Sequence, residues 1–412
     1  MQTTTANSPA AQPTTTPQGV PLLDLAKQHA PLMDEMVDAL RSVCQSGAFV
    51  LGPEVTKLER ATAEYCQAKH AVGCASGSDA LLLALMALDI GQGDEVVLPS
   101  FTFFATASAV TRLGATPVFA DIEPDTFNLD PAAVEACMTS ATKAILPVHL
   151  FGQCADMDAI GAIAAKAGIP VVEDAAQAIG AEWAGRRAGS IGRIGCFSYY
   201  PTKNLGGAGD GGMLTTNDDE LADRLQLLRG HGMRPRYYHQ VIGINSRLDS
   251  FQAAVLNVKM KHLDDYTEQR QANAACYAQL FADAGLDGQI VCPADGSNRR
   301  HVWNQYVVRV LGGKRDALRE CLGAAKIGTE IYYPLGLHEQ QCLKYLGYRK
   351  GDLPETDRAT EEVLALPIFP GLTTQQQEIV VAKIAEFCKA ACRGEAIAKP
   401  KAMGRTDQRV TS

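Results

Sequence analysis

The chain of 412 residues lacks an excess of positive charge, a long hydrophobic run and any paired cysteine spacing. With 38 Lys and Arg against 46 Asp and Glu, its net charge is -8, so neither nucleic acid nor an anionic membrane surface is an expected partner. No uninterrupted apolar run is long enough to span a bilayer. The twelve cysteines form neither a compact disulfide framework nor a metal-ligand pattern. That usage fits a reducing cytoplasm, with most cysteines as small core residues and no metal. The opening MQTTTANSPAAQPTTTPQG has no basic or apolar segment of a signal peptide, and residues 1–19 are expected as a disordered tail. The polar residues 393–412 are expected to fray in the same way.

What is present is a rhythm. Short apolar runs, VGCAS, EVVLPS, TPVFADI, KAILPVHLF and PVVEDA, alternate with helix-length segments such as DALLLALMALDIG and MDAIGAIAAKAG. Repeated β-α units of this kind imply an α/β fold with a largely parallel sheet between helices. Ligands of such sheets gather at the carboxyl ends of the strands. CFSYYP and GGMLTT read as two further strands joined by the glycine-rich TKNLGGAGDG. A long helical stretch, RLDSFQAAVLNVKMKHLDDYTEQRQANAACYAQLFADAG, is expected to link a large domain at 20–265 to a smaller α+β domain at 266–392. Residues 20–50 are expected to pack on that small domain.

Four strand ends carry residues of chemical interest. Lys203 stands at the mouth of the glycine-rich turn, where a lysine freed of its proton can attack an aldehyde; a solvated surface charge is the plain alternative. Asp174 closes the apolar run VVED, fitting either a partner for a protonated pyridine nitrogen or the N-cap of a helix over AAQAIGA. Gln177, one turn on, reaches either a ring hydroxyl or solvent. In GCASGSDALLLAL small residues precede a helix beginning near Asp79, so Gly77 and Ser78 suit a phosphate, although capping alone also explains Ser78. Phe103, in LPSFTFFATASAV, suits either stacking on a flat ring or the core. An amine, a carboxylate, an anion site and an aromatic face together match a phosphorylated heterocyclic aldehyde.

The segments GAFVLGPEVTKLE, GCASGSDALLLAL, PSFTFFATASAV, VVEDAAQAIGA, SYYPTKNLGGAGDGG, RGHGM, GINSRLDSFQAAVL and ALPIFPGLT resemble, in order and spacing, the DegT-type sugar aminotransferases. These belong to the fold-type I class of pyridoxal-phosphate enzymes. The resemblance spans about residues 20–390. It implies that Lys203 holds pyridoxal 5'-phosphate as a Schiff base, Asp174 pairs with the pyridine nitrogen, Gln177 contacts the ring hydroxyl and Phe103 stacks on the ring. Gly77, Ser78 and Ser198 would hold the phosphate, and a homodimer would bring Asn245 to the neighbour's phosphate.

Arg247 would stand near the substrate, with a structural ion pair as the alternative, and Tyr333 and His338 in IYYPLGLHEQQ are candidate sugar contacts, with ordinary strand and turn packing as the alternative. The substrate implied is a keto-sugar nucleotide receiving nitrogen from an amino acid, by family analogy L-glutamate. The lysine sets the chain apart from related dehydratases, which carry histidine there. Asn304 replaces a histidine common in relatives and is left out of the expected site. GQCADMDAI and RGHGMRPRYYHQVIGINSRLDSFQAA are most similar to members acting on UDP-linked N-acetylated 3-keto hexuronic acids, whose carboxylate Arg247, Arg234 or Arg236 can pair with. A 4-keto-6-deoxy nucleotide sugar, and a regulatory relative without catalysis, are the alternatives.

Overall fold

A computed structural model describes residues 19–296 and 298–393, so the expected tails fall outside the described residues except for Gly19 and Arg393. Among the described residues, the main sheet of the large domain has seven strands: β1 His70–Cys74, β2 Glu95–Pro99, β3 Thr116–Ala120, β4 Thr142–Ile145, β5 Val172–Asp174, β6 Ile194–Ser198 and β7 Gly212–Thr216. β1, β7, β6 and β5 pair in that order, as do β4, β2 and β3. The parallel bridges Ile145 to Val171 and Val148 to Asp174 join the two groups into one sheet. Only β7 runs against its neighbours. The other six therefore end on one edge.

Alternate residues of these strands feed two separate cores. Val96, Leu98, Ile194, Cys196 and Leu214 face one, with the helix Gly77–Ala87; Val97, Phe197 and Met213 face the other, with Ile160 of the helix Met157–Ala167. A sheet buried on both faces needs helices on both, which explains its near-continuous apolar strands. Helix boundaries follow local chemistry. Asp156 caps the helix Met157–Ala167 by accepting from the Ala159 amide at 2.9 Å, and Gly168 ends it at φ 68°.

The linking stretch is broken rather than continuous. Ser250–Met260 and Leu263–Ala284 are separate helices meeting at Lys261–His262. The second turns Tyr277 and Phe281 into the core of the small domain, built around the antiparallel strands Ile290–Val291, Tyr306–Val310 and Val363–Leu366 and the closing helix Thr374–Cys392. Val20 lies on this domain, bridged to Ile327, whereas Met36 of the helix Met33–Ser46 packs on Val255 and Val258 of the large one. The region 20–50 is thus divided between the domains. No helix among the described residues is long and apolar enough to cross a membrane.

Candidate active site

Parallel topology gathers the expected residues at the carboxyl edge. Asp174 is the last residue of β5, Ser198 the last of β6, and Ser76 follows β1. The loop from β6 to β7 turns at the same edge and carries Lys203. β5 and β6 are neighbours, whereas β7 separates β6 from β1 and β4 separates β5 from β2, so the strand ends share one edge without all being adjacent.

The helix after β1 begins two residues earlier than its sequence suggests. Ser76, not Ser78, is the N-cap, its Oγ accepting from the Asp79 amide at 3.1 Å. Gly77 and Ser78 therefore occupy the first two helical positions, whose amides have no intrahelical acceptor and point out of the helix end. A Cβ on Gly77 would lie 2.6 Å from the Ser198 Cβ. Only glycine permits that approach, and it closes a small cradle of amides and a hydroxyl suited to a phosphate.

No helix follows Asp174; AAQAIGA forms turns instead. The cap reading fails for lack of a helix, and the carboxylate is buried at the sheet edge. Its Oδ2 accepts from Thr106 Oγ1 at 2.8 Å and its Oδ1 from the Ala176 amide at 3.2 Å. Burial pushes its pKa up, against the lowering effects of these two bonds and of the positive charge of Lys203. A buried carboxylate so placed is an open position for a cationic partner.

Beside it, Glu173 accepts from His149 Nε2 at 2.9 Å and from the amides of Gly189, Ile191 and Gly192. The Ala155 amide donates to His149 Nδ1, which places the ring proton on Nε2. This network fixes the backbone behind Asp174. Neither Thr106 nor His149 stands out in the sequence, because each acts through Asp174 across distant chain segments.

Lys203 is half-buried, and burial brings its pKa down to about 8 despite the attraction of Asp174. Its amide bonds to the Tyr200 carbonyl at 2.9 Å and the Gly207 amide to the Tyr199 carbonyl at 2.8 Å, folding the turn tightly. At Gly206 a Cβ would lie 2.2 Å from the Pro201 carbonyl oxygen. The glycines thus hold the lysine over the sheet edge. An amine of this pKa is about a tenth neutral at pH 7, against a few parts in ten thousand for an ordinary lysine. Capture of an aldehyde by the apoprotein is expected to speed up about tenfold per pH unit below 8 and to level off above it. A rapid-mixing absorbance experiment with pyridoxal phosphate measures this; a profile still rising at pH 10 would show an unperturbed lysine.

The remaining expected residues fall into two groups. Gln177 Oε1 accepts from the Phe151 amide at 2.7 Å, and its Nε2 donates to the Tyr333 hydroxyl at 2.9 Å. Tyr333 stands edge-on to Phe101 and is stacked with Phe151. Phe103 does not join that core: it is 61% exposed at the sheet edge, a position that leaves its face open to a ring.

Asn245 and Arg247 are exposed, and the Arg247 Nε donates to Asn245 Oδ1 at 2.9 Å, with no carboxylate partner among the described residues. Arg234, by contrast, is held by Asp223 on the surface, which removes it as a free substrate arginine. His338 is also displaced from the expectation. Its side chain is fully buried, with Nδ1 2.7 Å from Ser100 Oγ and Nε2 3.4 Å from Asp357, so it has no surface to offer a sugar.

A strand-edge lysine of lowered pKa, a buried carboxylate and an anion cradle at a helix N-terminus define a Schiff-base enzyme of the pyridoxal-phosphate type. Residues 32–385 match the model of the DegT/DnrJ/EryC1/StrS aminotransferase family, and the chain belongs to that family. It is 52% identical, over 89% of its length and 98% of the relative, to a pleiotropic regulatory protein of Geobacillus stearothermophilus. It is 42% identical, over 89% of its length and 99% of the relative, to the UDP-2-acetamido-2-deoxy-3-oxo-D-glucuronate aminotransferase of Pseudomonas aeruginosa. The fold matches S. venezuelae DesV, solved in complex with a ketimine intermediate, with a TM-score of 0.86 and 43% identity over 90% of this chain and 99% of that one. Pyridoxal 5'-phosphate is the cofactor, as expected of a family whose solved members carry it in aldehyde and amine forms.

Proposed function

We propose that the protein transfers an amino group from L-glutamate to a UDP-linked 2-acetamido-3-keto hexuronic acid. The observation that carries this reading is the meeting, at one sheet edge, of the Lys203 amine, the buried Asp174 carboxylate and the Gly77–Ser78 cradle closed by Ser198. When bound, the cofactor supplies an electron sink for the donor's α-carbon. Lys203 anchors it and, once displaced by the donor's amine, carries a proton from that carbon on Nζ. Asp174, oriented by Thr106, holds the positive charge of the pyridine nitrogen. Gln177 fixes the ring hydroxyl, Phe103 covers the ring face, and Gly77, Ser78 and Ser198 hold the phosphate.

The hexuronic acid is favoured by the similarity to the Pseudomonas aeruginosa aminotransferase and by Arg247, an exposed guanidinium with no carboxylate partner among the described residues. Tyr333, whose hydroxyl accepts from Gln177, is assigned to the sugar in this reading. A 4-keto-6-deoxy nucleotide sugar is the rival substrate. The regulatory reading has the relative from Geobacillus in its favour, but a regulator has no use for a lysine of lowered pKa beside a buried carboxylate. The test is to convert the enzyme to its amine form with glutamate, add a panel of keto-nucleotide sugars singly and follow return of the visible band. The 3-keto uronic acid should restore it fastest; no return with any UDP-3-keto or 4-keto sugar would sink the reading.

A second copy of the chain completes the site in this reading. Tyr237, Tyr238, Val241 and Ile242, the last 92% exposed, project from the same segment that carries Asn245 and Arg247. An apolar cluster of that kind on a soluble surface marks an interface. Light scattering should give twice the 44.0 kDa chain mass, and Ile242→Glu should shift the protein to monomer with loss of most turnover. A fully active monomer would contradict the shared site.

A further inference from the structure

Between the two domains lies a cleft of about 490 Å³, part of it open to solvent, that reaches Thr202, the neighbour of the reactive lysine. Leu22, Leu23 and Leu366 make an apolar wall, while Thr202, Asn304, Gln305 and Tyr332 supply polar groups. Asn304 is 94% buried, and among the described residues neither its Oδ1 nor the Gln305 Oε1 has a hydrogen-bond partner. An unpaired buried amide group is costly, and rotating either amide about its last bond exchanges an unpaired oxygen for an NH₂ group. Either way the lining is set for a polar occupant.

The charge behind the lining selects its sign. Arg270, on the helix Leu263–Ala284, is fully buried and contacts no carboxylate among the described residues. Its Nη1 donates to the carbonyls of Trp303, Asn304 and Ile368 at 3.0, 3.3 and 3.1 Å, and its Nε is unpaired. Asn304 and Ile368 are themselves cleft residues, so the guanidinium stands immediately behind the surface. Carbonyl dipoles meet the Nη1 hydrogens without neutralising the charge. A buried cation left without an anion is a standing electrostatic cost that a bound carboxylate would offset.

We infer that this cleft is the carboxylate subsite for the amino donor, a dicarboxylic amino acid, with the Asn304 and Gln305 amides turned to donate and the Tyr332 hydroxyl beside them. The inference rests on the aminotransferase reading and adds to it where the donor lies. The apolar wall accommodates the methylene carbons, and the field of Arg270 favours the second carboxylate. A donor held there presents its amine toward the lysine next to Thr202. Asn304, left out of the site on sequence grounds, returns as a donor contact.

The experiment measures the two half-reactions separately in the holoenzyme, with calorimetric titration of glutarate, a dicarboxylate of glutamate's length without the amine. Gln305→Leu and Asn304→Leu should each raise half-saturating glutamate at least tenfold and weaken glutarate in proportion. Gln305→Glu, which keeps the size and adds a like charge, should do more. Half-saturation by the amino-sugar nucleotide in the reverse half-reaction should move less than twofold. The thermal melt and the cofactor band report that each variant is folded and loaded, so failure of the aminotransferase reading shows in wild type as a missing band. Unchanged glutamate and glutarate affinities in loaded variants would overturn the cleft assignment alone, as would a loss confined to the sugar nucleotide.

Discussion

Lys203→Ala should lower turnover by about four orders of magnitude or more while leaving the fold and phosphate binding intact. Two functions are lost together. On the roles proposed for Lys203, the amine that anchors the cofactor is gone, and so is the base that carries the proton from the donor's α-carbon. The side chain makes no hydrogen bond among the described residues, and its turn is held by backbone bonds at Tyr199 and Tyr200, so truncation removes little that supports structure. Lys203→Arg keeps the charge but not an amine able to form the covalent link, and should fail equally. Added ethylamine should restore part of the activity of the alanine variant, since a free amine can replace the proton carrier at the cost of lost positioning. Kinetic assay and a visible spectrum check all three. A turnover within tenfold of wild type in Lys203→Ala would remove the residue from the chemistry.

Asp174→Asn should cut turnover on the order of a thousandfold and, in the apoprotein, raise thermal stability. The two effects have opposite signs for one reason. Burial raises the folded pKa of Asp174 above its ordinary value, so the native apoprotein binds more protons than the unfolded chain in that window. Stability is therefore lost as pH rises from the ordinary carboxylate range through the raised folded value, and an amide escapes that loss. The same amide cannot balance a pyridinium charge, so the electron sink weakens. Thr106→Val, which removes the 2.8 Å bond to Oδ2, should show a smaller loss of activity in the same direction. Melting curves of apo and loaded protein across pH measure the stability arm. A variant destabilised in the apo form at neutral pH would mean that Asp174 serves the fold.

Much of this edge is legible in the sequence because strand ends and glycine turns are local features. VVED closes a buried strand at Asp174, and TKNLGGAGDG requires an irregular turn around Lys203. Helix limits were less legible. Ser76 and Ser78 are chemically alike, and only the Gly77–Ser198 approach selects the earlier start. AAQAIGA has helical propensity but must turn to place Gln177 between Phe151 and Tyr333. Propensity yields there to tertiary contacts.

His338 and Asn304 show the same limit in opposite directions. A histidine in a polar turn reads as a contact, yet the Ser100 hydroxyl and Asp357 bury it. Asn304 stands where relatives carry histidine and falls outside the expected site, yet it lines a cleft with an unpaired oxygen. Burial and pairing over 200 residues of separation leave no trace in local sequence.

Lys203 is not the only lysine with a lowered pKa. Lys259 is buried and also brought to about 8, but its Nζ donates to the Gly206 carbonyl and sits 3.1 Å from His29 Nε2, behind the glycine-rich turn rather than at the sheet edge. Position, not basicity, distinguishes the two. Borohydride reduction of the loaded enzyme, followed by proteolysis and mass spectrometry, locates the covalent link directly. The phosphopyridoxyl adduct should lie on Lys203 and be absent after prior conversion with glutamate; an adduct on Lys259, or none on a protein that shows the visible band, would contradict the account.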